Sequence, residues 1–115
     1  MDRRVHAVIS LMEGSLGQRI SLDQLARSVN LSPWWLCHLF KTETGLSPLQ
    51  YLKALRMNHA KTLLETTFLS VKQIMNEVGL SDPSHFVRDF KSTYGTSPAT
   101  FRTDLTKKPG QEPTD

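Results

Sequence analysis

The chain has 115 residues, of which 38% are hydrophobic and 22% charged, with a formal net charge of +3 and an isoelectric point near 9.2. That size gives one domain with a modest core, and no apolar run approaches the roughly 18 to 20 residues of a membrane span. The lone Cys37 cannot form an internal disulfide or a thiolate metal cluster, which points to a reducing cytoplasm.

The chain opens with "MDRRVHAVISLMEG", an apolar patch after two arginines that lacks the apolar length and small-residue cleavage site of a secretory signal. Its "RVHAVISLMEG" portion reads as a first helix. Beyond it lies an internal repeat, the strongest organisational signal in the sequence. Ser21, Gln24, Val29 and Leu31 recur 49 positions on as Ser70, Gln73, Val78 and Leu80. After a one-residue insertion, Pro33, Phe40, Lys41, Gly45, Ser47 and Pro48 recur 50 positions on as Pro83, Phe90, Lys91, Gly95, Ser97 and Pro98. Two copies are too few for a solenoid and instead suggest two similar subdomains with a connector.

Each copy reads as helix, tight turn, helix. Ser21 with Gln24, and Ser70 with Gln73, have the form of a capping box, in which each side chain satisfies an orphan N–H of the other residue. Leu22, Leu25, Ala26 and Val29 follow in the first copy, and Val71, Ile74, Met75 and Val78 in the second, at helical spacing. Asn30 and Gly79 then stand where a helix ends with positive φ. Ser32-Pro33 and Asp82-Pro83 restart the chain as helix, because proline's missing N–H would be unpaired in the first turn anyway. Between the copies, Leu49, Leu52, Arg56, Ala60, Leu63 and Leu64 form one helical stripe. They predict a connector of about 18 residues and about 27 Å. Arg56 in that stripe requires an acidic or carbonyl partner if buried. The fold class is therefore all-α: a first helix-turn-helix at about 21–44, a connector helix at about 48–66 and a second helix-turn-helix at about 70–94. Residues 107–115, polar and rich in Pro and Gly, read as a flexible tail.

On a helical wheel Leu36, Leu39 and Phe40 form the inner face of the first copy's second helix. Trp34, Cys37, His38 and Lys41 project from the opposite side, with Trp35 on the flank. In the second copy Phe86 and Phe90 point inward, Ser84, Arg88 and Lys91 outward, and His85 and Val87 to the flanks. Such a helix suits the major groove. Arg88 can pair with O6 and N7 of guanine, and His38 can donate to an acceptor such as guanine N7. Ser84 and His85 can bond bases or phosphates, and Trp34 can touch a thymine methyl or a sugar. Lys41 and Lys91, later on their helices, suit phosphates, as do the exposed N–H groups at Ser32. At the equivalent helix start the Asp82 charge opposes a phosphate. A connector helix could hold the two readers about one DNA turn, ~34 Å, apart, so that one chain reaches adjacent major grooves.

At these residues the chain resembles the DNA-binding domain of the AraC/XylS family of bacterial transcription regulators, over roughly residues 5 to 103. The most specific match is "VGLSDPSHFVRDFKSTYGTSPATFR"; "LARSVNLSPWWLCHLFKTETGLSPLQYL" and "RMNHAKTLL" also fit. The resemblance implies a seven-helix, two-motif domain over residues 1–106 that binds double-stranded promoter DNA and contacts RNA polymerase, as an activator. It carries base reading to Trp34, Cys37 and His38 in one helix, and to Ser84, His85, Val87 and Arg88 in the other. His38 stands where many members have Arg, and Cys37 where a polar residue is frequent, so the first helix is expected to read more by shape and apolar contact. Met75 and Leu80 replace a commoner Ala and Phe. Many members add a ligand-sensing domain on the N-terminal side, for which 115 residues leave no room, so the chain is either a stand-alone regulator or the C-terminal part of a longer protein.

Simpler roles stand beside these. Trp34 could pack against the preceding helix, and Trp35 is expected to do so, since buried aromatics are the default. Cys37 reads as a small filler, and His6 and His59 as surface or partly packed residues. His38 and His85 lack a carboxylate or thiol at ligand spacing, so no metal or other cofactor site is expected. Glu43, Glu65 and Glu77 form no acid–base pair, which leaves an enzyme without a residue constellation. A helical protein-interaction module, anchored by Trp34 and Trp35, is the rival from another class.

Overall fold

The computed structural model describes residues 1–106, and among them it contains seven α-helices and no strand. The helices are α1 Arg3–Glu13, α2 Leu22–Ser28, α3 Pro33–Thr44, α4 Pro48–Thr66, α5 Val71–Val78, α6 Pro83–Tyr94 and α7 Pro98–Leu105. The tail read from the sequence over 107–115 lies outside the described residues. The chain divides into two compact units, one running to Arg56 and one starting at Met57.

Helix starts follow from local chemistry. Ser21 and Ser70 each complete a capping box with Gln24 and Gln73, the serine hydroxyl accepting from the glutamine N–H and the glutamine carbonyl accepting from the serine N–H. Ser47 and Gln50 exchange the same pair of bonds ahead of α4, at 3.2 and 3.0 Å. Both first helices of the repeats also end alike. The N–H of Leu31 donates to the Ala26 carbonyl and that of Leu80 to the Met75 carbonyl, at 3.0 and 2.9 Å. These bonds close a Schellman turn around Asn30 (φ 57°) and Gly79 (φ 78°). Asn30 is the position where a side chain is carried in the left-handed region, which asparagine tolerates better than most residues.

In the first unit, Val5, Val8 and Met12 of α1 meet Leu25 of α2, Leu36 and Phe40 of α3, and Leu52 of α4. Phe40 is fully buried and meets the Tyr51 ring edge-on at 5.3 Å. The second unit repeats the scheme with Met57, Ala60 and Leu64 of α4, Ile74 and Val78 of α5, and Phe86 and Phe90 of α6. There Phe90 contacts Phe86, Tyr94 and Phe101, with ring centroids 4.6 to 5.8 Å apart. Truncating either central ring to alanine costs about 3–5 kcal/mol, because a tightly packed core relaxes only partly around the hole.

The stripe read along the connector is only partly the buried one. Leu52, Ala60 and Leu64 are buried and Leu63 half-buried, but Leu49 is 49% exposed and Met57 takes a core place instead. Arg56 finds carbonyl partners: its Nε donates to Leu16 O at 3.1 Å and a terminal nitrogen to Gln18 O at 2.8 Å, and partial burial lowers its pKa. Arg102 of α7 does the corresponding task in the second unit. Its guanidinium donates to Leu69 O, to Thr67 O at 3.2 Å and, at longer range, to Leu64 O and Leu63 O. In each unit, therefore, an arginine from the last helix ties down the chain that leads into the first helix of the helix-turn-helix.

Candidate nucleic-acid interface

Helix α3 starts with the Ser32 hydroxyl accepting from the Trp35 N–H at 3.2 Å. Its outer side is aromatic. The indole of Trp34 stacks on the imidazole of His38, one helical turn on, with centroids 4.7 Å apart and planes 17° from parallel. Trp35 meets Trp34 edge-on at 5.1 Å. The rings are 62% and 58% exposed. Trp35 thus departs from the packing expected of it. Leu36 and Phe40 already fill the inner face, and a neighbour rotated about 100° around the axis falls outside it. Instead, Trp35 walls an open hollow of about 380 Å³ shared with Arg4 of α1, Leu31, His38, Leu39 and Thr42.

Cys37, placed on the outward side by the wheel, is half-buried, so its thiol borders the outer surface without standing on it. With Trp34, His38, Lys41 and Thr42 it lines a shallower hollow of about 290 Å³. The Lys41 side chain is exposed in the last turn, and its carbonyl accepts the Gly45 N–H that closes the helix at 2.8 Å.

Helix α6 has the same frame with different chemistry. Asp82 caps it, one carboxylate oxygen accepting from the His85 N–H at 3.1 Å while the other lies 2.9 Å from His85 Nδ1. The bond from the His85 backbone, helped by the positive potential of the imidazole and the Ser84 N–H, holds the Asp82 carboxyl below its ordinary pKa. Ser84, His85, Val87, Arg88 and Lys91 are all exposed. Arg88 Nε is 3.9 Å from Asp89 Oδ1, beyond hydrogen-bond reach. Each unit brings its own sequence-derived residues to one solvent-facing side. Trp34, Cys37, His38 and Lys41 stand where Ser84, Val87, Arg88 and Lys91 stand in the second copy.

Two polar contacts at these elements were missed from sequence. The Asp82–His85 bond has a local signal, a carboxylate and an imidazole three residues apart across a helix start. The tie between the Asp2 N–H and Glu43 Oε1, 3.0 Å long, spans 41 positions and has no sequence signal. Among the described residues no group of His, Cys, Asp or Glu is placed to hold a metal ion, and no helix is long and apolar enough to cross a membrane.

Paired helix-turn-helix units, each with a polar or aromatic second helix turned to solvent, define a tandem helix-turn-helix protein. A family model described as a helix-turn-helix domain matches residues 25–104. The chain is 34% identical over 102 residues to the lactose operon transcription activator of Staphylococcus xylosus, covering 89% of this chain and 37% of that protein. Its fold is similar to that of a Chromobacterium violaceum transcriptional regulator described as AraC-type DNA-binding domain-containing. That likeness has a TM-score of 0.84 and 32% identity, over 93% of this chain and 95% of the other. It is also similar to the DNA-binding domain of AdpA in complex with a target DNA, with a TM-score of 0.87 and 26% identity over 96% and 100% of the two chains. The chain belongs to the AraC family of transcriptional regulators, as a DNA-binding domain of that family. It spans between 12% and 37% of the length of the curated relatives it matches, and 37% of the Staphylococcus activator.

Proposed function

We propose that this domain, over residues 1–106, reads double-stranded promoter DNA by inserting α3 and α6 into successive major grooves and activates transcription from there. The supporting observation is the matched pair of solvent-facing helix faces, Trp34, His38 and Lys41 with Cys37 at the margin, and Ser84, Val87, Arg88 and Lys91, on equivalent positions of two units. Arg88, His85 and Ser84 read base edges on α6, and Trp34, His38 and the margin of Cys37 read on α3, with Val87 offering apolar contact. Lys41, Lys91 and the helix start at Ser32 hold phosphates and set register. Activation follows the name of the Staphylococcus relative; it involves contact with RNA polymerase in the bacterial cytoplasm and, in a longer parent, control by an effector-sensing domain.

The test is selection of duplexes from a random pool, followed by titration of the winner at two salt concentrations. A bipartite consensus with a steep loss of affinity at higher salt supports the reading. Equal affinity for random duplex, with no sequence enriched, refutes it. The two exposed indoles also suit a protein-binding surface. A Trp34→Ala, Trp35→Ala double variant that leaves the selected consensus and its affinity intact would favour that second reading for α3.

A further inference from the structure

The Asp82–His85 contact has a chemical consequence for base recognition, which rests on α6 reading DNA as proposed above. The carboxylate holds one edge of the imidazole, Nδ1, at 2.9 Å, and the ring is otherwise largely exposed, with 60% of the side chain open to solvent. A carboxylate accepts and does not donate, so Nδ1 must carry the hydrogen in this contact. In a neutral imidazole that assignment leaves Nε2 bare, an acceptor. In the protonated ring Nε2 carries a hydrogen and donates. The presented edge therefore changes sign with one proton, and imidazole is the side chain that ordinarily gains or loses its proton between about pH 5 and 8.

We propose that Asp82 is a positioning residue that fixes the tautomer of His85, and that His85 reads one base with a polarity set by pH. In the major groove cytosine offers an amino donor, whereas guanine offers acceptors, O6 and N7. Neutral His85, locked by Asp82, accepts from cytosine N4. Protonated His85 donates to guanine. A freely rotating or untethered neutral histidine could present either nitrogen and would discriminate neither base.

Asp82 touches the ring, and Arg88 and Asp89 follow within a turn along α6. On the helices packed against α6, the charged groups are Lys72 and Glu77 of α5 and Arg102 and Asp104 of α7. Arg102 is committed to carbonyl oxygens around the end of α4. Lys61 and Glu65 of α4 act on Tyr94, at the other end of α6.

The test measures, at fixed salt, the affinity of the chain for its selected duplex and for variants carrying C·G or G·C at each pair of the α6 half-site, at pH 8.0 and pH 5.5. The half-site is assigned by the positions whose selectivity Arg88→Ala disturbs. Because both duplexes are compared at one pH, general strengthening of phosphate binding by a cationic ring cancels. The expected result is one position at which the cytosine-to-guanine preference falls about three- to tenfold on acidification, the worth of one hydrogen bond. In His85→Gln the preference is unchanged by pH, since an amide carries both donor and acceptor. Asp82→Ser keeps a helix cap of the type Ser32 gives α3, so its melting temperature stays near that of the unaltered chain, while its preference at pH 8.0 relaxes. A consensus whose α6 half shows no pH-dependent position overturns the inference alone, as does an Asp82→Ser variant with unaltered preferences. Selection that yields no consensus overturns it together with the DNA-reading proposal.

Discussion

Replacing Arg102 with methionine keeps the length and apolar stem of the side chain but removes the guanidinium. Leu69 and Thr67 are the nearer two of its carbonyl partners, and Leu64 and Leu63 lie at 3.4 and 3.5 Å. A bond from a charged donor is worth roughly 1.5–3 kcal/mol. Arg102 is half-buried, so water recovers part of each lost bond, and the two good bonds together leave about 2–3 kcal/mol of destabilisation. Urea unfolding measures this directly, as a lower midpoint with an unchanged slope. In a domain of this size each kcal/mol also lowers the melting temperature by about 4–8 °C. Arg102→Lys recovers only part of the loss, since a point-like ammonium cannot span carbonyls separated along the chain. A loss under about 0.5 kcal/mol would refute the reasoning, because that is the ordinary range for surface substitutions.

Arg88→Ala is expected to relax preference at one base pair by about 1–3 kcal/mol, read by competition among single-position duplex variants. Lys91→Ala should weaken all duplexes alike and reduce the salt slope by about one charge; a loss confined to one sequence would show that the lysine reads bases. At the start of α1, Asp2 accepts from the Arg4 N–H and side chain, and those bonds, side chain first, lower its pKa below 3.8. The charged form is thus the one favoured by folding, so its contribution is present above the ordinary carboxylate value and lost as pH falls through the lower folded one. Melting temperatures of the unaltered chain and of Asp2→Asn should differ most at pH 6, and the gap should shrink as the solution is acidified; a gap that does not change with pH would count against the contact.

Sequence and structure agree most closely where the determinant is local. The capping boxes at Ser21 and Ser70, the turns at Asn30 and Gly79 and the helix restarts at Pro33 and Pro83 all depend on residues within a few positions of each other. The all-α class and the two helix-turn-helix units follow from them. Agreement weakens where a side chain answers to distant groups. Arg56 announced a need for a partner, but Leu16 and Gln18 lie 40 and 38 positions away and act through backbone carbonyls, which carry no residue-type signal. Arg102 gave no signal, because its place in the repeat is held by Leu52 in the first copy. The wheel placed Leu36 and Phe40 correctly and set Trp35 on the flank; the expectation that Trp35 packs came from its residue type alone, although the inner face was already full. Nor does the connector's stripe show that Leu49 stays exposed in the first unit while Met57, outside the stripe, is buried in the second.

The stack of Trp34 on His38 also makes α3 its own optical probe. The emission of an indole depends on what lies against its face, which for Trp34 is the imidazole 4.7 Å away. A duplex that parts the two rings, or slides a base between them and solvent, changes the same emission. The arrival of a ligand at α3 can therefore be followed in the unlabelled protein, with Trp34→Phe removing that signal and leaving the background of Trp35.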